Sequence, residues 1–258
     1  MAIEKVTKII SSEQKVGQEQ IATTIRRKQV AARTRSSGFR MGIRNLSKYQ
    51  LWKGILDRLV ALLALVIVSP LLILIAVIIR LDSPGNPFFH QERVGKDGRR
   101  FFIYKFRTMH LDHDDSEYEA FLRRYVGGQV NGDGLKEQAK KKIRRRGPDL
   151  RVTRFGTLLR KTNLDEIPQL LNILKGEMSF VGPRPDIPFA VAMYKDHHWE
   201  RFAITPGITG LWQVSRRKKI PFEAMVRLDM DYIKKQSLFL DIKIILLTVR
   251  TVLKGEGS

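Results

Sequence analysis

The sequence predicts an α+β fold, mainly helical, seated on a membrane as a monotopic protein by one re-entrant kinked helix and carrying a small β-hairpin. Three observations predict it. Leu59 to Ile79 runs about 21 residues without a charge, the length that spans a hydrocarbon core, and Ser69-Pro70 stands in its middle. A "GKDG" turn at Gly95 to Gly98 separates two strand-like stretches. Helical periodicity then fills much of the C-terminal half.

The chain begins with a basic tail, residues 1 to about 50, rich in Ser, Thr and Gln, with "RRK" at Arg26 to Lys28 followed by Arg33, Arg35, Arg40 and Arg44. It holds too few large apolar groups to build its own core, so a largely disordered segment is expected, with a short basic helix near residues 13 to 34. No apolar run follows the start within ~30 residues and no small-residue cleavage site stands out, which argues against a cleaved signal peptide.

Residues 51–83 form the membrane segment, flanked by Asp57 and Arg58 before the apolar run and by Arg80 and Asp82 after it. Pro70 removes a backbone hydrogen bond and crowds the preceding turn, so a kink is expected there. In lipid the freed carbonyl needs a local partner, and the Ser69 hydroxyl is one. A straight span would put two basic flanks on opposite sides of the membrane, which the positive-inside preference disfavours. A helix that enters, bends at Ser69-Pro70 and returns keeps both flanks on the cytoplasmic face, and is the favoured topology.

Residues 84–258 read as one cytoplasmic domain. A turn at Pro84 to Pro87 leads into a hairpin of "FFHQERV" and "RRFFIYKFRTM". Residues 112–148 are charged and irregular, a solvated helix-plus-loop insertion. Its "KKKIRRR" run either touches anionic headgroups, at about 1 kcal/mol per basic residue, or is a solvated face. Helices are expected over Thr157 to Lys161, Glu166 to Leu174 with Lys175-Gly176 as the stop, Phe189 to Lys195, Phe222 to Lys235 and Asp241 to Leu253. No internal repeat is evident.

A net charge of +21 with a pI near 10.4 implies an anionic partner: nucleic acid, an acidic membrane face or a phosphorylated substrate. The absence of cysteine excludes disulfides, thiolate metal sites and thiol nucleophiles. The five histidines lack the helical spacing of a zinc site, and His110 and His113 among acids read as a solvated loop.

Adjacent acids, Asp165 and Glu166, occur in "LLRKTNLDEIPQLLN". Pro168 biases Ile167 away from helical geometry, so a helix should start at the acids with Asp165 as its N-cap. A helix N-terminus favours the ionised form that a nucleophile or metal ligand needs. Arg160 and Lys161, about one turn earlier, are placed to hold a phosphate. An isolated Asp-Glu pair is usually only a cap, but this one has company. "SFVGPRP" sets Arg184 between two prolines, suited to bidentate phosphate binding, its bland alternative being a surface turn. "YKFRTM" puts Lys105 and Arg107 on one face of a strand. "TPGITGLWQVS" reads as a tight loop with Trp212 available for stacking or the membrane interface.

From about Leu51 to Gly257, the chain resembles the bacterial sugar transferase family, monotopic polyprenol-phosphate phosphoglycosyl transferases. The likeness rests on the "SP" of the membrane helix, "PGNPFFHQERVGKDGRRFFIYKFRTM", "LRKTNLDEIPQLLNILKGEMSFVGPRP", "PGITGLWQV" and "LDMDYIKKQSLFLDIKIILLTV", in consistent order. The resemblance implies transfer of a sugar 1-phosphate from a nucleotide diphosphate sugar to polyprenyl (undecaprenyl) phosphate, with Mg²⁺ and release of a nucleoside monophosphate. This would be the first membrane step of exopolysaccharide, lipopolysaccharide O-antigen or glycoconjugate assembly. It implies Asp165 as the nucleophile of an aspartyl phospho-sugar intermediate and Glu166 as its partner in the acid pair; Mg²⁺, which commonly keeps waters and few protein ligands, would be held by Asp165 or Glu166 together with the donor's phosphates. Arg160 would hold phosphate and Arg184 the nucleotide, with Lys105 and Arg107 completing the phosphate and nucleotide set. The expected location is the cytoplasmic face of a bacterial inner membrane, with lipid as a partner and no nucleic acid. Self-association, the sugar, the nucleotide and the pathway stay open. Arg216-Arg217 stand where many relatives have glycine after the serine, which puts that loop's shape in question. A membrane-tethered nucleic-acid binder acting through residues 1–50 is a rival reading, but base-reading and RNA-stacking motifs are lacking. An inactive assembly scaffold is another, against which Asp165, Glu166, Arg160 and Arg184 all stand intact.

Overall fold

A computed structural model of the chain describes residues 17, 19–29, 44–110, 116–131, 151–215 and 220–253. His113, the "KKKIRRR" run, Arg216-Arg217 and the basic positions Arg33, Arg35 and Arg40 lie outside the described residues. The architecture is mainly helical with two small sheets. In chain order it runs α1 (19–29), α2 (Arg44–Asp82), β1 (Phe88–Val94), β2 (Arg100–Phe106), α3 (Ser116–Val126), α4 (Arg154–Thr162), α5 (Leu170–Lys175), β3 (Ser179–Val181), α6 (Pro188–Ala192), β4 (Gly207–Thr209), α7 (Leu211–Val214), α8 (Phe222–Lys235) and α9 (Leu238–Leu253). Short 3-10 segments occupy Lys96–Gly98, Leu164–Gln169 and Asp196–Ala203.

Among the described residues, α2 is the one helix long and apolar enough to cross a membrane. Helix α2 continues through Pro70 without a break. The proline leaves the Val66 carbonyl without its N–H partner, and the Ser69 hydroxyl donates to that oxygen at 2.9 Å, the local compensation expected of the pair. One face of α2 is bare apolar surface, with Val66 65% and Ile73 66% exposed. The other face packs on the body on both sides of Pro70. Ala61 lies with Phe101, Ile103 and Leu170, while Ile75 and Ile79 lie with Phe106 and Leu159.

Strands β1 and β2 form the expected antiparallel hairpin, Phe88 facing Phe106 and Val94 facing Arg100. Its turn needs left-handed backbone at Asp97 (φ 56°) and Gly98 (φ 72°), which the "DG" pair supplies. A second, parallel pair joins β3 to β4, Ser179 beside Gly207 and Val181 beside Thr209. The sequence reads "TPGITGLWQVS" as a tight loop and marks no strand at Ser179–Val181. The glycines of "PGITG" therefore serve close approach rather than a tight turn: a Cβ on Gly207 would lie 2.1 Å from the Gly182 nitrogen.

Residues 116–126 are not a solvated insertion. Phe121, Leu122 and Val126 fall on one face of α3 and enter the main core with Val191, Phe222 and Val226. Trp212 packs against this same core, half-buried, instead of facing a membrane. The tail also contributes, through Ile25 of α1, which is buried. Helix α4 begins at Arg154 because Thr153 caps it, accepting from the Gly156 N–H at 2.9 Å. The helix expected over Glu166 to Leu174 is split, since Pro168 has no N–H to give and the chain runs as a 3-10 turn to Gln169 before α5 starts. Gly176 (φ 77°) closes α5 as anticipated. Helix α6 ends at Ala192, short of Lys195, and α9 begins at Leu238, ahead of Asp241; α8 has the expected bounds.

Candidate active site

The acid pair sits in the first turn of the 3-10 segment Leu164–Gln169, and the N-cap position belongs to Asn163 in left-handed conformation (φ 54°). Asp165 is thus not a cap, and a six-residue 3-10 turn offers little of the aligned dipole that a long helix would.

Glu166 is clamped. Lys105 at the end of β2 donates to its Oε1 at 2.7 Å, and the Arg184 guanidinium forks onto it, Nη2 to Oε1 and Nη1 to Oε2 at 3.3 Å. Burial pushes the Glu166 carboxyl up, but Arg184 and then Lys105 outweigh it and hold it well below the ordinary carboxylate range. Burial also lowers the Lys105 ammonium, against the pull of Glu166. Asp165 goes the other way. Burial raises its pKa, Lys105 and Arg160 oppose this, and the ionised Glu166 reinforces it, leaving a net rise. The ionising helix dipole expected from sequence is therefore overruled by desolvation. Two neighbouring carboxyls end with pKa values driven in opposite directions, a pattern that separates roles in a working site.

Each cation is aimed by residues the sequence did not flag. Asn172, wholly buried in α5, accepts from the Tyr104 N–H at 3.0 Å and donates to the Phe102 carbonyl at 2.7 Å, fixing β2 against α5 so that Lys105 reaches Glu166. Arg160, in the last turn of α4, donates from Nε to the Thr108 hydroxyl at 2.9 Å and lies close enough to act on Asp165. Arg184 sits on a turn whose four consecutive carbonyls are all held: Pro183 by the Gly207 N–H at 3.0 Å, Arg184 by Arg201 Nη2 at 3.1 Å, Pro185 by Arg93 Nη1 at 3.2 Å, and Asp186 by the Val94 N–H at 2.9 Å. Two prolines cannot donate, so the turn is braced through its acceptors. Arg201 is itself buried, paired with Asp186 and with Asp229 at 2.7 Å.

The structure brings together Asp165, Glu166, Lys105, Arg160 and Arg184. It does not bring Arg107 to them. The strand ends at Phe106, and Arg107 turns inward to donate to Ser83, at 2.7 Å to the carbonyl and 3.0 Å to the hydroxyl, tying β2 to the exit of α2. Lys161 points to solvent. Arg184, expected on the nucleotide, engages Glu166 with both terminal nitrogens. The non-local origin of the clamp explains why sequence spacing missed it.

A second titratable group, His197, His198 and Glu223, has no counterpart in the sequence reading. Both rings lie 3.0 Å from the carboxylate. His198 Nδ1 accepts the Lys195 N–H at 3.0 Å, so its Nε2 carries the proton and is spent on Glu223. That tautomer suits a hydrogen-bonded brace rather than a metal ligand.

Comparison with known proteins adds a family. The profile described as bacterial sugar transferase matches residues 48–255. The chain is 38% identical over 203 residues to the exopolysaccharide production protein ExoY of Rhizobium meliloti, covering 78% of this chain and 85% of that one. It is 38% identical over 209 residues to the UDP-glucose:undecaprenyl-phosphate glucose-1-phosphate transferase of Xanthomonas campestris pv. campestris, covering 78% of this chain and 38% of that one. It is 37% identical over 216 residues to the UDP-N-acetylgalactosamine-undecaprenyl-phosphate N-acetylgalactosaminephosphotransferase of Aeromonas hydrophila, covering 81% and 45%. The chain thus spans most of the first relative and less than half of the other two.

Proposed function

Since the chain belongs to the bacterial sugar transferase family, we propose that it transfers a sugar 1-phosphate from a nucleotide diphosphate sugar to polyprenyl phosphate, with Asp165 as the attacking carboxylate. The observation that carries this reading is the division of the acid pair. Glu166 spends its oxygens on Lys105 and Arg184, whereas Asp165 sits among the cations without being clamped by that pair.

In the first step an Asp165 oxygen attacks the sugar-bearing phosphorus and the bond to the nucleoside monophosphate breaks, the electron pair leaving with the monophosphate. In the second, an oxygen of the lipid phosphate attacks the same phosphorus and Asp165 departs as a free carboxylate. No net proton is required. Lys105, Arg160 and Arg184 concentrate positive charge where two anions must meet in turn. Glu166 keeps Lys105 and Arg184 fixed in position, a role distinct from attack.

The donor set fits a divalent cation only in part. Both Glu166 oxygens already face cations, so Asp165 together with the donor's phosphates is the better holder of Mg²⁺, which commonly takes few protein ligands. When bound, Mg²⁺ would supply charge neutralisation at the diphosphate.

A re-entrant seat on the membrane is supported by the packing of α2. Residues before and after Pro70 touch one body, so a helix crossing straight through would draw that body into the lipid. The bare faces of α2 and α9, where Phe239 is 79% exposed, add apolar surface for the bilayer. Such a seat keeps both flanks on one side of the membrane, and their shared basic charge favours the cytoplasmic face of the inner membrane.

The test mixes protein, Mg²⁺ and donor without lipid acceptor. About one equivalent of monophosphate per protein should appear, with the sugar phosphate retained on the peptide containing Asp165 by mass spectrometry. Asp165→Asn should abolish both, and a fully active Asp165→Asn protein would remove the assignment.

A further inference from the structure

We propose that helix α1 is a strap built into the chain, docked in a helix-binding groove on the catalytic body, and that its seating sets the affinity for the nucleotide sugar. The proposal rests on the transferase reading above. Residues 19–29 precede the stretch shared with the family, which begins at residue 48. They contact the body through Ile21, Ile25, Lys28 and Gln29, at spacings of four, seven and eight, one stripe of an α-helix.

Each contact is specific. Ile25 is 3% exposed and enters the main core with Val94 and Trp199. Lys28 Nζ donates to the Ala192 carbonyl at 2.9 Å and to the Tyr194 carbonyl at 2.5 Å, where the end of α6 leaves oxygens without helical partners. Gln29 Nε2 donates to the Asp97 carbonyl in the hairpin turn at 2.5 Å. The groove has a glycine floor. A Cβ on Gly98 would lie 3.0 Å from the Trp199 ring and 3.1 Å from Gln29 Cγ, in a backbone conformation side chains rarely adopt. Arg26 and Arg27 face solvent on the opposite side.

The groove is one residue away from the active-site turn. Tyr194 offers its carbonyl to Lys28, and its hydroxyl donates to Asp186. Asp186 pairs with Arg201, and Arg201 holds the carbonyl of Arg184 at 3.1 Å. Lys28, rather than serving as a loose cation for a membrane, is committed to this path. Strap and turn share Tyr194, so an unseated strap frees the end of α6 and lets Arg184 leave its aim.

The experiment uses the full chain carrying Ile25→Glu or Lys28→Met, with Arg26→Gln as the control. Tryptic cleavage after Arg27, followed by mass spectrometry, reports seating without reference to activity. In the wild type this site should be protected, and in both groove variants it should open. Donor KM, measured with UDP-glucose and UDP-galactose, should rise about three- to tenfold with kcat nearly unchanged, the range in which packed neighbours couple. Ile25→Leu should restore both readouts, and the control should leave KM at the wild-type value. Exposed cleavage with an unchanged KM would overturn the link to Arg184, and protection that survives Ile25→Glu would overturn the docking itself. A wild type that turns over no donor removes the transferase reading, and this link with it, while the tryptic pattern still reports whether α1 is seated.

Discussion

Lys105→Met tests the division of labour in the acid pair. The substitution keeps the stem of the side chain and removes one charge from a mostly buried site. Glu166 loses a charge-assisted hydrogen bond of 2.7 Å and retains the Arg184 fork. Such a bond contributes about 1.5–3 kcal/mol, so kcat/KM should fall about 10- to 150-fold if the clamp is needed in the transition state. A pH effect follows as well. Lys105 is the strongest cation acting to lower the Asp165 pKa, so its loss moves that pKa further up and shifts the acid limb of the kcat/KM profile to higher pH. Stability has its own signature. The folded-state pKa of Glu166 is depressed, so its stabilising contribution is present above about pH 4.3 and is lost as pH falls. The gap in thermal midpoint between wild type and variant should therefore be widest near neutrality and close toward acid. The assay is nucleoside monophosphate release across pH, paired with thermal melts at the same values. Lys161→Met, at a solvent-facing cation, is the control. A Lys105→Met profile superimposable on wild type, or shifted to the acid side, would refute the assignment of Lys105 as the shared cation of both carboxylates.

Asn172→Leu should cost about 1–3 kcal/mol in chemical denaturation, because the part-buried Tyr104 N–H and Phe102 carbonyl lose their partner, and activity should fall with the misplaced Lys105. Ser69→Ala should leave the isolated catalytic step intact in detergent, with a loss of about 0.5–1.5 kcal/mol in thermal stability, since only the donation to the Val66 carbonyl disappears.

Much of the fold was legible because its signals are local. "GKDG" marks the hairpin turn, Gly176 the end of α5, and Ser69-Pro70 the bonded pair inside α2. Helix α8 has its expected bounds because its apolar period runs clear from Phe222 to Lys235. Elements whose cause lies elsewhere in the chain were hidden. Strands β3 and β4 are three residues each and exist only because distant glycines let their backbones approach. At the site, the acid pair and its three cations could be named from motifs, but not their pairing. Lys105 and Arg184 come from 61 and 18 positions away, and nothing near Glu166 announces them. The dipole inference for Asp165 failed for a physical reason: Pro168 shortened the helix that was to supply the field, and burial then dominated. Arg107 was misplaced by assuming that β2 continued one residue past Phe106. The α1 contacts were invisible because a segment too poor in apolar residues for a core of its own can still lend Ile25 to another.

A two-stranded ribbon ordinarily leaves a rim of unsatisfied amides that can recruit a strand from a neighbouring chain. Here the side-chain amide of Asn172 meets the outer rim of β2 as a strand's peptide group would, taking one N–H and one carbonyl two residues apart. The ribbon is sealed at that point by a single residue on a helix, and copies crowded together on a lipid surface find no template there for sheet growth.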